Sequence, residues 1–282
     1  MAITSDRGRL VALTNLVQWQ EHGGYQLPAD LLHSVDVLNS VQALTVPEPP
    51  PLRHFEDVAA AAVDLIARGE DVNVCEMARQ AAAARDHAVQ LDEARRLITL
   101  AAENAATRAV AAVGGGCNRI VTEVLQPAYE TTLSETRRLA RTLRGCDLND
   151  GGWTAPAKVR QARAELTALA DRHHLLRKAR SSVLALAGQT AQHDTQQQFA
   201  SLREPQNLVP GGYEPNRPLP RTELPQQPAA ALLWLVNEGA PGTPWLPTVN
   251  EQDDAWLAVF GEVVHRRHAA HISARAYAGD RV

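Results

Sequence analysis

The sequence predicts an all-α fold, an elongated helical hairpin or bundle with extended proline-rich arms. Three observations carry that reading. Residues 54–145 are saturated with alanine and show no strand-like alternation. A second helical run follows at 156–200. Prolines cluster outside both runs, at Pro47, Pro49, Pro50 and Pro51 and again between 205 and 228.

Composition supports helix packing through small side chains. The 282 residues include 47 Ala against three Phe and four Tyr. Alanine is the best helix former but buries little apolar area, so such helices need extensive lateral partners. The basic residues are 26 Arg and only two Lys, Lys158 and Lys178, a bias that a GC-rich genome produces by itself. The net charge of −4 gives no global attraction to nucleic acid or anionic lipid. Residues 150–204 hold a small basic excess.

Five segments are expected: an N-terminal helical pair (1–46), a proline-rich linker (47–53), a central bundle or coiled coil (54–204), a proline-rich arm (205–228), and a C-terminal tryptophan-containing helical segment (229–282). The N-terminal pair covers 7–20 and 28–44, with Pro28 at a first turn and Gly23 and Gly24 turning between them. Leu31, Val35, Leu38 and Val41 form one apolar stripe.

The first central helix is expected over about 54–68, stopped near Gly69. Asn73 and Glu76 have capping-box spacing, which starts the next helix at Val74. Three consecutive glycines, Gly114, Gly115 and Gly116, each cost about 1 kcal/mol relative to Ala. They predict a reversal into an antiparallel partner over 117–144, with Pro127 kinking or restarting it and Gly145 closing it. Thr154 then caps a helix with Pro156 in its first turn. Its seam is the clearest in the chain: Val159, Ala162, Leu166, Leu169, His173, Leu176, Arg180, Val183 and Ala187 alternate by three and four. Polar seam members such as His173 and Arg180 fix register or partner in coiled coils, so both are expected at helix interfaces.

Seven prolines between 205 and 228 predict an arm of polyproline II character. A short helix at about 228–237 and a final helix at about 251–277 follow, the latter capped by Asn250 with Asp253. Trp234, Trp245 and Trp256 lie beyond the arm, which predicts a docking element that buries them against another subunit. The competing expectation is a lid folded back over the chain's own bundle.

Chemistry-bearing patterns are sparse. Glu262, His265, His268 and His271 recur every third residue, a spacing seen in carboxylate-bridged metal bundles, and Asp30 with His33 and Asp171 with His174 repeat it. A metal site needs facing carboxylates as well, so a solvated helix face is the simpler expectation, and no cofactor is expected. Arg137, Arg138, Arg141 and Arg144, and separately Arg172, Arg177, Lys178 and Arg180, make two basic patches that could meet nucleic acid. No phosphate loop, nucleophile elbow or zincin motif is present, so no catalytic residue is assigned and an enzyme is not expected. Cys75, Cys117 and Cys146 form no metal-binding or disulfide pattern.

The N-terminal residues lack an apolar signal region, and no apolar window is long enough to span a bilayer. The expected location is the cytoplasm, or the virion if the protein is a phage component. The function read from this layout is a non-enzymatic structural or assembly protein, partnered by copies of itself and by other subunits. A helical nucleic-acid-associated protein and a metal-binding bundle are the alternatives.

Overall fold

The computed structural model describes residues 3–48, 55–144, 155–189, 199–208, 225, 227–237 and 242–261. The all-α expectation holds: helix accounts for 81 % of the chain so described, and no strand occurs there beyond an antiparallel bridge between Leu202 and Pro244. None of the helices described is long and apolar enough to cross a membrane. The chain forms two compact units, Met1–Leu32 with Val110–Val282, and His33–Ala109.

The N-terminal helices are α1 (Ile3–Gln18), α2 (Gln20–Gly23) and α3 (Ala29–Gln42). Gly24 turns the chain at φ 66° after α2, a left-handed conformation that side chains resist. Tyr25 closes the corner by donating its hydroxyl to the Leu16 carbonyl at 2.7 Å, and its burial pushes the phenol pKa well up. Helix α4 (Phe55–Ala67) ends as expected, with Gly69 at φ 75°. Helix α5 (Val74–Arg119) starts where Asn73 predicts, its Oδ1 accepting the Glu76 amide at 3.1 Å.

The glycine reversal does not occur. Helix α5 runs through Gly114–Gly116 into a π-helical turn (Ile120–Leu125) and then α6 (Gln126–Leu143), 70 residues without a break. Magnitudes account for the difference. Three interior glycines cost about 3 kcal/mol, whereas fully burying an aliphatic side chain is worth about 1.5–3 kcal/mol. Val113, Cys117, Ile120 and Val121 are all buried beside the triplet. Gly114 faces the Ala187 backbone, which a Cβ built there would meet at an ordinary contact distance of 3.7 Å.

Pro127 neither ends nor restarts the helix, and the π turn just before it is how it is accommodated. Proline has no N–H and its ring crowds the carbonyl four residues back. The wider turn just before it shifts the bonding, so that the Gln126 amide reaches Val121.

Helix α7 (Ala157–Leu186) packs along α6 and also against α1 and α2. Its predicted seam is its core face: Ala162, Leu166, Leu169, Leu176, Arg180 and Val183 are buried, and Val159, His173 and Ala187 are half-buried. It ends earlier than 200 because Gly188 adopts φ 69° and caps it. The facing stripe of α6 is Tyr129, Leu133, Leu139 and Leu143 with Thr132 and Thr136. Both threonine hydroxyls bond the carbonyl four residues back, so they pack as small side chains without an unmet polar group.

Helix α8 (Pro228–Val236) lies against α6 and α7. The last helix, α9, is described over 249–261. Its cap is not Asn250 with Asp253. Thr248 and Glu251 form a capping box, in which the Thr248 amide donates to Glu251 Oε2 at 2.7 Å and the Glu251 amide donates to Thr248 Oγ1 at 3.2 Å. Thr154, Gly145 and most of the proline arm, at 209–224 and 226, lie outside the described residues.

Candidate functional site

Three features of the folded chain could carry a function. The first is the polar part of the α7 seam. His173, Arg177 and Arg180 fall four and three residues apart, so they share one face. The Tyr129 hydroxyl lies 3.3 Å from His173 Nε2, and Arg177 donates to the Ser201 hydroxyl. Burial, helped by the Arg177 and His174 charges, lowers the His173 pKa to about 4, so the imidazole is neutral at neutral pH. Burial also raises the Tyr129 phenol, with the nearby Arg177 opposing. Both groups are held in unreactive forms inside a helix interface, which suits a register device.

Arg180 is 6 % exposed. Its Nε donates to the Pro247 carbonyl and its Nη2 to Gln252 Oε1. Burial and then Arg177 lower its pKa to about 10, so it stays charged. The guanidinium therefore pins the 247–252 segment onto α7. Gln126 adds a second tie, donating to the Leu246 carbonyl and to Glu251 at 3.1 Å each.

These ties decide where the tail goes. Trp256 is buried, packed with Phe199 and Phe260, and Trp245 Nε1 donates to the Phe199 carbonyl at 2.7 Å. Trp234 is half-buried on α8. In the single chain, then, Trp245 and Trp256 lie against the chain's own residues, the arrangement of the lid. Trp256 is covered by Phe199 and Phe260, and the segment that carries it is tied to α6 through Gln126 and to α7 through Arg180.

The second feature is a groove of about 590 Å³ between α6 and α8. One wall is Arg137, Arg141 and Arg144; the other is the 233–237 end of α8, with Gly242–Pro244 beyond. All three arginines are exposed, and among the described residues none makes an ion pair and no acidic residue lines the groove. The rest of the two basic patches is dispersed. Arg138 pairs with Glu165, Arg172 pairs with Glu135, Arg177 turns to Ser201, and Lys178 sits 6.0 Å from the Trp19 ring centre.

The third feature belongs to the His33–Ala109 unit. On α4, Val58, Ala61, Ala62 and Leu65 form the half-buried face, while Ala59, Ala60, Val63, Ile66 and Ala67 are exposed. Val63 is 64 % exposed and Ile66 61 %. On α5, Ala81, Leu91 and Ala105 are buried, while Val89, Leu97 and Leu100 are more than half exposed. An apolar stripe on both sides of a helix is the pattern of a helix covered on both sides.

Glu262, His265, His268 and His271 lie outside the described residues. Asp30 pairs with Arg119 at 3.2 Å, which holds its carboxyl below the usual range. No group of three potential ligands occurs among the described residues. Sequence reasoning missed Tyr129, Gln126 and Glu251 as partners of the seam, although Tyr129 lies on the periodic stripe of α6 and Thr248-Val-Asn-Glu251 is a readable capping box.

No family model matches the chain, and comparison with curated proteins and with solved structures also returns no match.

Proposed function

We propose that the chain is a non-enzymatic structural protein that self-associates through helix faces, a role suited to a subunit of a large particle such as a phage virion. The single observation that carries this is the outward apolar face of the His33–Ala109 unit. Val63, Ile66, Val89, Leu97 and Leu100 are each more than half exposed on two helices. Scattered apolar residues on a surface are ordinary, but an apolar helix face repeated over several turns marks an interaction site. The tail, already engaged with α6 and α7, leaves this unit as the docking surface.

The nucleic-acid reading has less support. Three arginines face one groove, whereas binders that depend on phosphate contacts commonly make about six to ten. The other basic side chains, Arg138, Arg177 and Lys178 among them, are engaged within the chain. The metal reading has only the C-terminal histidines to rest on.

Size-exclusion chromatography with light scattering tests the proposal, run across protein concentrations and with or without an oligonucleotide and divalent metal. The expected result is a mass above the monomer that rises with concentration and ignores both additives. A monomer at every concentration overturns it.

A further inference from the structure

We infer that the groove between α6 and α8 receives helix α4 of a second copy of this chain. The inference rests on the self-association reading and names its contact. Two surfaces, each incomplete by itself, match in chemistry. The groove offers an arginine wall, Arg137, Arg141 and Arg144, opposite an apolar wall at the end of α8. Helix α4 offers an exposed apolar stripe, centred on Val63 and Ile66, with an acidic edge.

Charge separates this occupant from others. Helix α4 carries Glu56, Asp57 and Asp64 and no basic residue. Among the described residues the groove carries three cations and no acid. The C-terminal ends of α6 and α8 offset about half a charge each there, so a positive excess of about two remains among the described residues. A guanidinium wall of this kind pairs with carboxylates through charge-assisted hydrogen bonds.

Spacing agrees as well. Asp57 and Asp64 are seven residues apart and lie on the same edge of α4, about 10 Å apart along its axis. Arg137 and Arg144 are also seven apart, Arg144 capping the end of α6, with Arg141 between them on the helix. Laid alongside, the two rows run in step while Val63 and Ile66 face the apolar wall.

The contact joins different patches of identical chains, so it is heterologous. Each copy keeps one groove and one α4 to offer, and growth continues to a ring or a filament. That property makes the test decisive. Arg141→Glu spoils the groove and leaves α4 intact; Asp64→Arg spoils α4 and leaves the groove intact. Each variant alone should associate more than about tenfold more weakly than the unmodified chain, since like charges then face each other. Mixed in equal amounts, the two should regain assembly, because the unmodified groove and α4 pair while the reversed charges at positions 141 and 64 attract each other in the next contact.

Sedimentation velocity on the full-length proteins reads these masses, with circular dichroism checking that each variant keeps its helix content. Both substitutions fall on exposed positions. If the unmodified chain assembles and the variants assemble equally well, this contact is wrong while self-association stands. If the unmodified chain never assembles, both fail. If only Arg141→Glu weakens assembly and the mixture does not regain it, the groove takes a different segment and the α4 assignment is overturned. A single-stranded oligonucleotide bound by the unmodified chain but not by Arg141→Glu, without any change in assembly, overturns it in favour of nucleic acid.

Discussion

Tyr129 and His173 meet across the packed faces of α6 and α7, hydroxyl to Nε2 at 3.3 Å, with ring centres 5.3 Å apart. The pair makes stability depend on pH. The folded chain disfavours the imidazolium, so as pH falls the unfolded chain takes the proton first. The contribution is complete above pH 6.5 and is lost as pH falls from 6.5 towards about 4. At 1.36 kcal/mol per pKa unit the loss is at most about 3 kcal/mol. Urea unfolding across that range should show stability rising with pH, and His173→Gln should flatten the rise. An unchanged slope in the variant means the imidazole is not the group responsible.

The glycine triplet yields a stabilising substitution. Gly115 lies inside α5, and a Cβ placed there meets nothing within 4 Å. Gly115→Ala should therefore raise the unfolding free energy by about 0.5–1 kcal/mol through helix propensity alone. At a true hairpin turn the same change would be neutral or destabilising. Chemical denaturation of the two proteins reads the sign directly.

Local signals in the sequence were legible where the physics is local. Gly69 after α4, Asn73 before α5 and the nine-residue seam of α7 all appear where the pattern places them. The hairpin at Gly114 was misread because propensity was weighed without the burial of Val113, Cys117 and Ile120 on either side. The α9 cap falls two residues earlier than Asn250 because Thr248 with Glu251 matches the full capping-box pattern, whereas Asn250 with Asp253 lacks the reciprocal Glu or Gln. The groove was only half visible. Its arginines are adjacent in sequence, but their apolar wall comes from α8 far along the chain, and no periodicity announces that meeting.

The capping box separates the two readings of α9. Thr248→Ala removes the acceptor of the Glu251 amide and the hydroxyl that donates to Glu251 at 3.0 Å. Loss of such a cap costs about 1 kcal/mol. Asn250 is exposed and already helical, so Asn250→Ala should stay within about 0.5 kcal/mol of the unmodified chain. Thermal melts of both variants test this; equal losses, or a larger one at Asn250, would restore the later cap.

Arg180 gives the sharpest test of where the tail belongs. Arg180→Met keeps the aliphatic bulk inside the α7 seam but withdraws the donors that reach the Pro247 carbonyl and Gln252. Each buried acceptor left without its partner costs about 1–3 kcal/mol. Released from that clamp, the 247–261 segment would stay attached mainly through Gln126 and through the packing of Trp256 and Phe260 on Phe199. The variant should melt at lower temperature, and limited proteolysis should cut the tail first. Deleting residues 205–282 should go further, because it strips the partners from Phe199 and leaves the charged Arg180 facing an opened core. That truncated protein is expected to melt early or aggregate. A truncated body that stays as stable as the full chain would mean that the tail is an arm after all, held by Arg180 only loosely and free to dock elsewhere.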